Sequence, residues 1–436
     1  MRSAAATKYF DGTKPLHYLN NFGYLNDPCY NGSLLGDGMK NLNDGKLSFG
    51  GQYRARFHSE HNHRGVGLTG VSDDFVLHRT RLYADARMSD TLRFFGEVLD
   101  ANSNLENNTP RGIEENRWDM QNLFFDATLF DHDGGKLVAR GGRQEIALGA
   151  QRYVSPLDWA NTRRTFDGGR LMYSNEYVNM DGFLLMPTIR DVDAFDKSNR
   201  NVQLYGLYNT FKKARHGTLD TYWIAFDNDA AGFAFDTVGA RYNGKVQKLL
   251  FDMEGSFQFG RNADGSDHEA GATTIGLGRK LDQMALSPVT WLYFDWASGG
   301  DDLGAGNGHH HYQPLAHKYN GFMDLFGRRN LMDLNWLTTV QLTDRVKLLT
   351  WMHGFWLANT NDSPYNVNMS AFNGGITPGD SFLGTEMDVV LSVNLTPRSN
   401  FLVGYSQFWS GDYYDTPGLP TNDNANFAYV QYTLNF

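Results

Sequence analysis

Two sets of charged residues stand out in this chain by type and spacing. Arg54, Arg56, Arg79, Arg81, Arg87, Arg93 and Arg170 fall on the polar side of apolar, two-residue alternations, and Asp252, Glu254, Asp295, Asp333, Glu386 and Asp388 do the same further along. A guanidinium is a permanent cation that grips carboxylates through parallel N–H bonds. A ladder of arginines therefore suits a polyanion that slides from one to the next. In a wall that closes on itself the two sets would lie on different arcs and set up a transverse field, which selects ions. Asp85, Glu97 and Asp126 interrupt the arginines. For any single charge, pairing with a neighbour inside a wet lumen is an equally good reading, so the case rests on the collective pattern.

Other constellations offer weaker chemistry. His309, His310 and His311 form a triplet in the long connection before Tyr319, but adjacent histidines on one loop rarely close a metal site unaided. His58, Glu60, His61 and His63 read as a solvated first loop, of the kind that folds inward to narrow a pore. The carboxylate pairs Asp73/Asp74, Glu114/Glu115 and Asp301/Asp302 also fall in loops. Glycoside cleavage needs two carboxyl groups set across a groove, and nothing fixes that here. No nucleophilic triad, phosphate loop or cysteine metal motif is present, so neither catalysis nor a cofactor or metal is expected. Cys29 is the single cysteine and reads as a free thiol.

Strands must position these charges. Leu47, Phe49, Gly51, Tyr53, Ala55 and Phe57 oppose Ser48, Gln52, Arg54, Arg56 and His58, while Met332, Leu334, Trp336, Val340 and Leu342 oppose Asp333, Asn335, Thr339 and Gln341. The chain ends on Phe436 with Leu434, Tyr432, Val430 and Ala428 on one face. Such alternation marks half-buried strands, and it recurs about eighteen times between residues 47 and 436. The connections sort into long ones (59–74, 101–121, 146–165, 298–330, 358–383) and short ones (89–91, 175–176, 344–345). That rhythm predicts an all-β fold, a transmembrane antiparallel β-barrel of about 18 strands with long extracellular loops and short periplasmic turns.

The bulk numbers agree. With 47 Gly, 22 Tyr, 30 Phe, 9 Trp and only 12 Pro, the chain is aromatic-rich, as interfacial girdles require. No apolar run is long enough for a spanning helix. Lipid offers no hydrogen bonds, so a strand wall must close, and at this strand number the lumen is wide enough for water. The net charge of −10 argues against nucleic acid as a partner. Residues 1–46 stand apart as an Asn-, Gly- and Asp-rich lead, either periplasmic or a plug entering the barrel; Met1 to Lys14 has no apolar core of an export signal.

The segment from Arg140, R-G-G-R-Q-E-I-A-L-G-A-Q-R-Y-V-S-P-L-D-W-A-N-T-R-R-T-F-D-G, resembles the alginate export family of outer-membrane channels through Gly142, Arg143 and Gln144, then Trp159, Asn161, Phe166 and Asp167. Y-N-G-F-M-D-L-F-G-R-R-N-L-M-D-L (Tyr319 to Leu334) and E-M-D at Glu386 are a second match. The resemblance spans residues 47 to 436 and leaves the lead without a counterpart. It implies a monomeric outer-membrane barrel passing uronate polymer, with Arg143 and Arg152 at the constriction and Arg79, Arg81 and Arg170 beside them. The expected function is passage of anionic polysaccharide or its fragments; the alternative is a general or anion-preferring porin for small solutes, and a barrel enzyme is a distant third. Expected partners are outer-membrane lipid, those anionic solutes, and a periplasmic secretion partner on the short-turn side that the residues do not identify.

Overall fold

The computed structural model describes residues 12–30, 32–65, 67–300, 307–372 and 377–436. Asp301 and Asp302 lie outside the described residues.

The strands are β1 (Leu47–His61), β2 (Asp73–Arg87), β3 (Leu92–Asn104), β4 (Asn116–His132), β5 (Gly135–Gln144), β6 (Phe166–Ser174) and β7 (Val178–Ile189). After the two-residue β8 (Lys197–Ser198) come β9 (Val202–Ala214), β10 (Gly217–Asn228), β11 (Phe233–Val246), β12 (Leu249–Arg261) and β13 (Asp267–Lys280). The wall finishes with β14 (Val289–Ala297), β15 (Leu331–Gln341), β16 (Val346–Trp356), β17 (Phe382–Thr396), β18 (Ser399–Ser410) and β19 (Ala425–Asn435). All but β8 pair in chain order as antiparallel neighbours. β19 then returns to β1 in the register Tyr53↔Leu434 and Phe57↔Val430. The result is a closed antiparallel barrel of 18 strands. Closure leaves no ladder edge to lipid, as the sequence pattern requires.

Alternation sorts the side chains as expected. On β1, Phe49 and Phe57 are 40% and 43% exposed on the outer face, while Arg54 and Arg56 point inward and are buried. Several strands overrun the expected bounds at the long-loop end. β1 continues to His61, β3 to Asn104, and β4 begins at Asn116. The backbone ladder persists past the point where apolar alternation stops. His58, Glu60 and His61 therefore belong to β1 and not to a solvated loop, and His58, Glu60 and His63 are buried.

Inward segments fill the lumen, and the inner wall supplies apolar seats for them. The connection from β5 to β6 buries Ile146, Leu148, Tyr153 and Val154 against inner-face Phe183, Leu185, Leu204 and Ile224 of β7, β9 and β10. The connection from β14 to β15 joins it through a parallel bridge, Val154↔Gln313, with Ser155 N donating to Gln313 O at 2.9 Å and Gln313 N to Tyr153 O at 3.0 Å. Residues before β1 enter from the short-turn side, where Leu16, Tyr18 and Phe22 pack on Tyr83, Phe95 and Phe124. Each such side chain taken out of water contributes about 1.5–3 kcal/mol as an upper figure. Gly36 lets this lead cross the chain end closely: it sits at φ 86, and a Cβ there would lie 2.4 Å from the Phe436 carbonyl carbon.

Candidate functional site

Register places like charges side by side on the inner wall. Arg54 stands opposite Arg79, and Arg140 opposite Arg170. Directly opposed like charges destabilise a ladder unless something compensates them. Arg140 is compensated by Asp126 at 2.7 Å and Arg170 by Asp181. The Arg54–Arg79 pair receives a different answer, a strap of loop backbone.

That strap is Asp158–Ala160, within the inward β5–β6 connection. Arg54 donates to Asp158 O at 2.9 Å and Ala160 O at 3.0 Å. Arg56 donates to Trp159 O at 2.7 Å. Arg79 donates to Asp158 O at 3.2 Å, Ala160 O at 3.1 Å and the Asp158 carboxylate at 3.1 Å. The Arg56 guanidinium lies 3.8 Å from the centre of the Trp159 ring, and His317 of the second inward loop stacks on the same ring at 3.7 Å. Asn161 Nδ2 ties the strap's far end to the carbonyls of His78, Asn102 and Glu114 at 3.0, 3.1 and 2.9 Å.

The strap separates two cavities. One of about 380 Å³ opens toward the short-turn side and is lined by Arg54, Arg79, Asp158, Thr396 and Asn435. The other, about 600 Å³, lies toward the long loops and is lined by Arg56, Trp159, Ala160, Asn161, Arg164 and Arg190. Consecutive residues of one loop thus face opposite compartments.

Most of the remaining expected residues are on the inner wall, with Arg152 in the inward β5–β6 connection, and they stand mostly in local pairs. Arg81 is held by Glu97 at 2.6 Å and Glu145 at 2.8 Å. Arg93 binds Asp85 at 2.7 Å, Arg143 binds Asp167 at 2.8 Å, and Arg152 binds Glu254 at 2.9 Å. Asp252 accepts from Arg241 at 2.7 Å and Asp295 from Arg328 at 3.3 Å. Asp333 pairs with His353 at 3.0 Å. Glu386 accepts the Met323 amide at 3.0 Å and Asp388 the Ser406 hydroxyl at 2.5 Å. Two expectations need correction. Arg79 and Arg81 do not face open water: they are 1% and 0% exposed, because the strap and the lead cover them. Arg87 is exposed at the end of β2 and joins none of these groups.

The histidine triplet is structural in its bonding. His309 meets the Tyr153 hydroxyl at 2.9 Å and Arg328 O at 2.7 Å, and His311 meets Val367 O at 3.0 Å. Burial pushes His311 down to about 3, and burial lowers His309 and His310 well below the usual imidazole value. Sequence reading missed Arg163, which bridges Glu145 and Asp158. It also missed Arg164, which has only the carbonyls of Ser155 and Pro314 as hydrogen-bond acceptors among the described residues, both at 3.2 Å. Burial and then the neighbouring Arg190 push Arg164 down to about 9, which leaves it protonated at neutral pH. The adjacent Arg163-Arg164 dipeptide was the available signal.

No curated protein sequence matches the chain. Solved structures with the same fold include OccAB1 of Acinetobacter baumannii, with a TM-score of 0.63, 10% identity, 91% of this chain covered and 97% of that chain. OpdO of Pseudomonas aeruginosa gives a TM-score of 0.61 at 10% identity, covering 90% of this chain and 97% of that one. The outer membrane protein opdK of Pseudomonas aeruginosa gives 0.60 at 10% identity, covering 89% and 98%. Over residues 45–427 the sequence matches the alginate export family model, and the chain belongs to that family, as an outer-membrane channel barrel.

Proposed function

We propose that this channel passes anionic polysaccharide of the alginate type, or its fragments, with Arg54, Arg56 and Arg79 as the cations that the polymer meets between the two cavities. The observation that carries the reading is the set of partners these arginines have. The strap supplies backbone carbonyls to all three and one carboxylate, Asp158, to Arg79, while the wall arginines Arg81, Arg93, Arg140, Arg143 and Arg170 are each matched by an acid. A permanent cation without a wall counter-ion favours anion entry. Arg143, Arg152 and Arg170 flank the route in this reading, already paired, as places where a uronate exchanges with a resident carboxylate. The carboxylates of β12, β14 and β15 form the opposing arc, while β17 stands three strands from β1 through β18 and β19.

A second reading, an anion-preferring porin for small solutes, draws on the cavity sizes. Volumes of about 380 and 600 Å³ are those of small-molecule pockets. Current through the purified protein in a planar bilayer separates the two. Oligogalacturonate added to one side should modulate the current at concentrations where maltotriose does not. If free galacturonate permeates while the oligomer neither permeates nor alters the current, the small-solute reading replaces the polymer one.

The lead is proposed as a plug of the short-turn mouth. Pro15 O accepts from Arg81 at 3.1 Å and Tyr18 O from Arg93 at 2.7 Å, and burial lowers the His17 imidazole. In the same recording, a chain lacking residues 1–30 should conduct more than the full chain; equal conductance would reduce the lead to a passive tether.

A further inference from the structure

The three wall arginines use their hydrogen-bonding edges incompletely. Nε of Arg54, Arg56 and Arg79, and Nη1 of Arg56, are buried and have no hydrogen-bond partner among the described residues. A carboxylate binds guanidinium best through two parallel N–H bonds, and the Nε edge is half of one such fork. The strap's single carbonyl oxygens cannot reproduce that geometry. Each carries a partial charge where a carboxylate would bring a full one.

The strap also carries conformational strain. Leu157 and Arg163 flank it at φ 52 and φ 58, the left-handed region that non-glycine residues avoid. Ala160 is buried against the arginines, whereas the Asp158 side chain is 43% exposed toward the cavity on the short-turn side. The Asn161 amide anchors one end of the strap and the Ser155 hydroxyl, which accepts from the Leu157 amide at 3.0 Å, anchors the other, so Asp158–Ala160 is the span left to move between two fixed points.

We propose that Asp158–Ala160 is a built-in stand-in for substrate: it occupies an anion site made by Arg54, Arg56 and Arg79, and carboxylates of an anionic sugar chain displace it to join the two cavities. This rests on the reading that the channel takes anionic solutes, and it adds that the solute opens its own path. Displacement exchanges carbonyl–guanidinium bonds for bidentate carboxylate ones. It also releases the strained residues at both ends and frees Trp159 from between Arg56 and His317.

The test uses the full chain with Cys29→Ser and Ala160→Cys, folded in vesicles, and a water-soluble maleimide. The introduced thiol should label slowly alone and about tenfold faster or more with millimolar oligogalacturonate, the size expected when a ligand moves a minor open state toward dominance. Maltotriose should leave the rate unchanged. Labelling that ignores oligogalacturonate, or that rises equally with maltotriose, overturns the proposal. If Ala160→Cys does not form a heat-modifiable barrel, amide hydrogen exchange across residues 157–161 of the unaltered chain reads the same displacement. Anion selectivity of the wild-type current is measured separately. A selective channel with an unresponsive strap therefore sinks this inference alone, and a non-selective channel sinks the functional reading beneath it.

Discussion

Arg81→Gln is expected to destabilise the barrel by about 3–5 kcal/mol, the range for removing one partner from a buried ion network. Arg81 lies between Glu97 and Glu145 at 2.6 and 2.8 Å, with all three side chains shielded from solvent. Glu97 also meets His17 at 3.0 Å, and Glu145 meets Arg163. Glutamine is neutral, so both carboxylates would lose a full charge partner in a space that water does not reach. Their remaining cations are Arg163 and His17, and burial works against protonation of the second. Urea titration of the protein folded in vesicles, followed by the heat-dependent shift on a gel, measures the change. A midpoint unchanged from wild type would mean that the pocket hydrates freely and that the network is not closed.

Leu334→Arg is expected to cost about 2–4 kcal/mol, the range for a cation on the lipid face near the bilayer midplane. Leu334 is 46% exposed on the outer wall and faces Phe294 in the β14–β15 ladder, well inside the paired stretch. Its neighbour Asp333 points the other way and is buried, so the substitution leaves the lumen untouched. Folding yield into vesicles should fall while the selectivity of the fraction that folds stays the same. Wild-type yield would place Leu334 outside the hydrocarbon layer.

The wall was legible in the sequence because lipid imposes one rule on every strand. Phe49, Phe57, Leu334 and Trp336 had to face outward, and a period of two then set Arg54, Arg56, Asp333 and Asn335 inward. Long and short connections sorted the ends. What periodicity cannot carry is the filling of the lumen. Phe183, Leu185, Leu204 and Ile224 are apolar on the inner face, which contradicts a purely wet interior and makes sense only once Ile146, Leu148 and Val154 cover them. Trp159 and Asn161 were visible as a motif, yet the work of Trp159 depends on Arg56 and His317, which lie more than a hundred residues away on either side. Local pairing breaks up the charge arcs. The arginines sit on the inner face, but neighbours such as Asp181 for Arg170 and Asp167 for Arg143 neutralise most of them. The Arg54, Arg56 and Arg79 group instead meets the backbone of a loop.

Anions should be preferred where the two cavities meet, and the reversal potential of the purified protein under a KCl gradient across a planar bilayer tests this most directly. The expected potential is displaced toward the chloride equilibrium value, with the displacement reduced when Arg54 and Arg79 are both replaced by Gln. A potential at zero, or displaced toward potassium, would contradict anion preference.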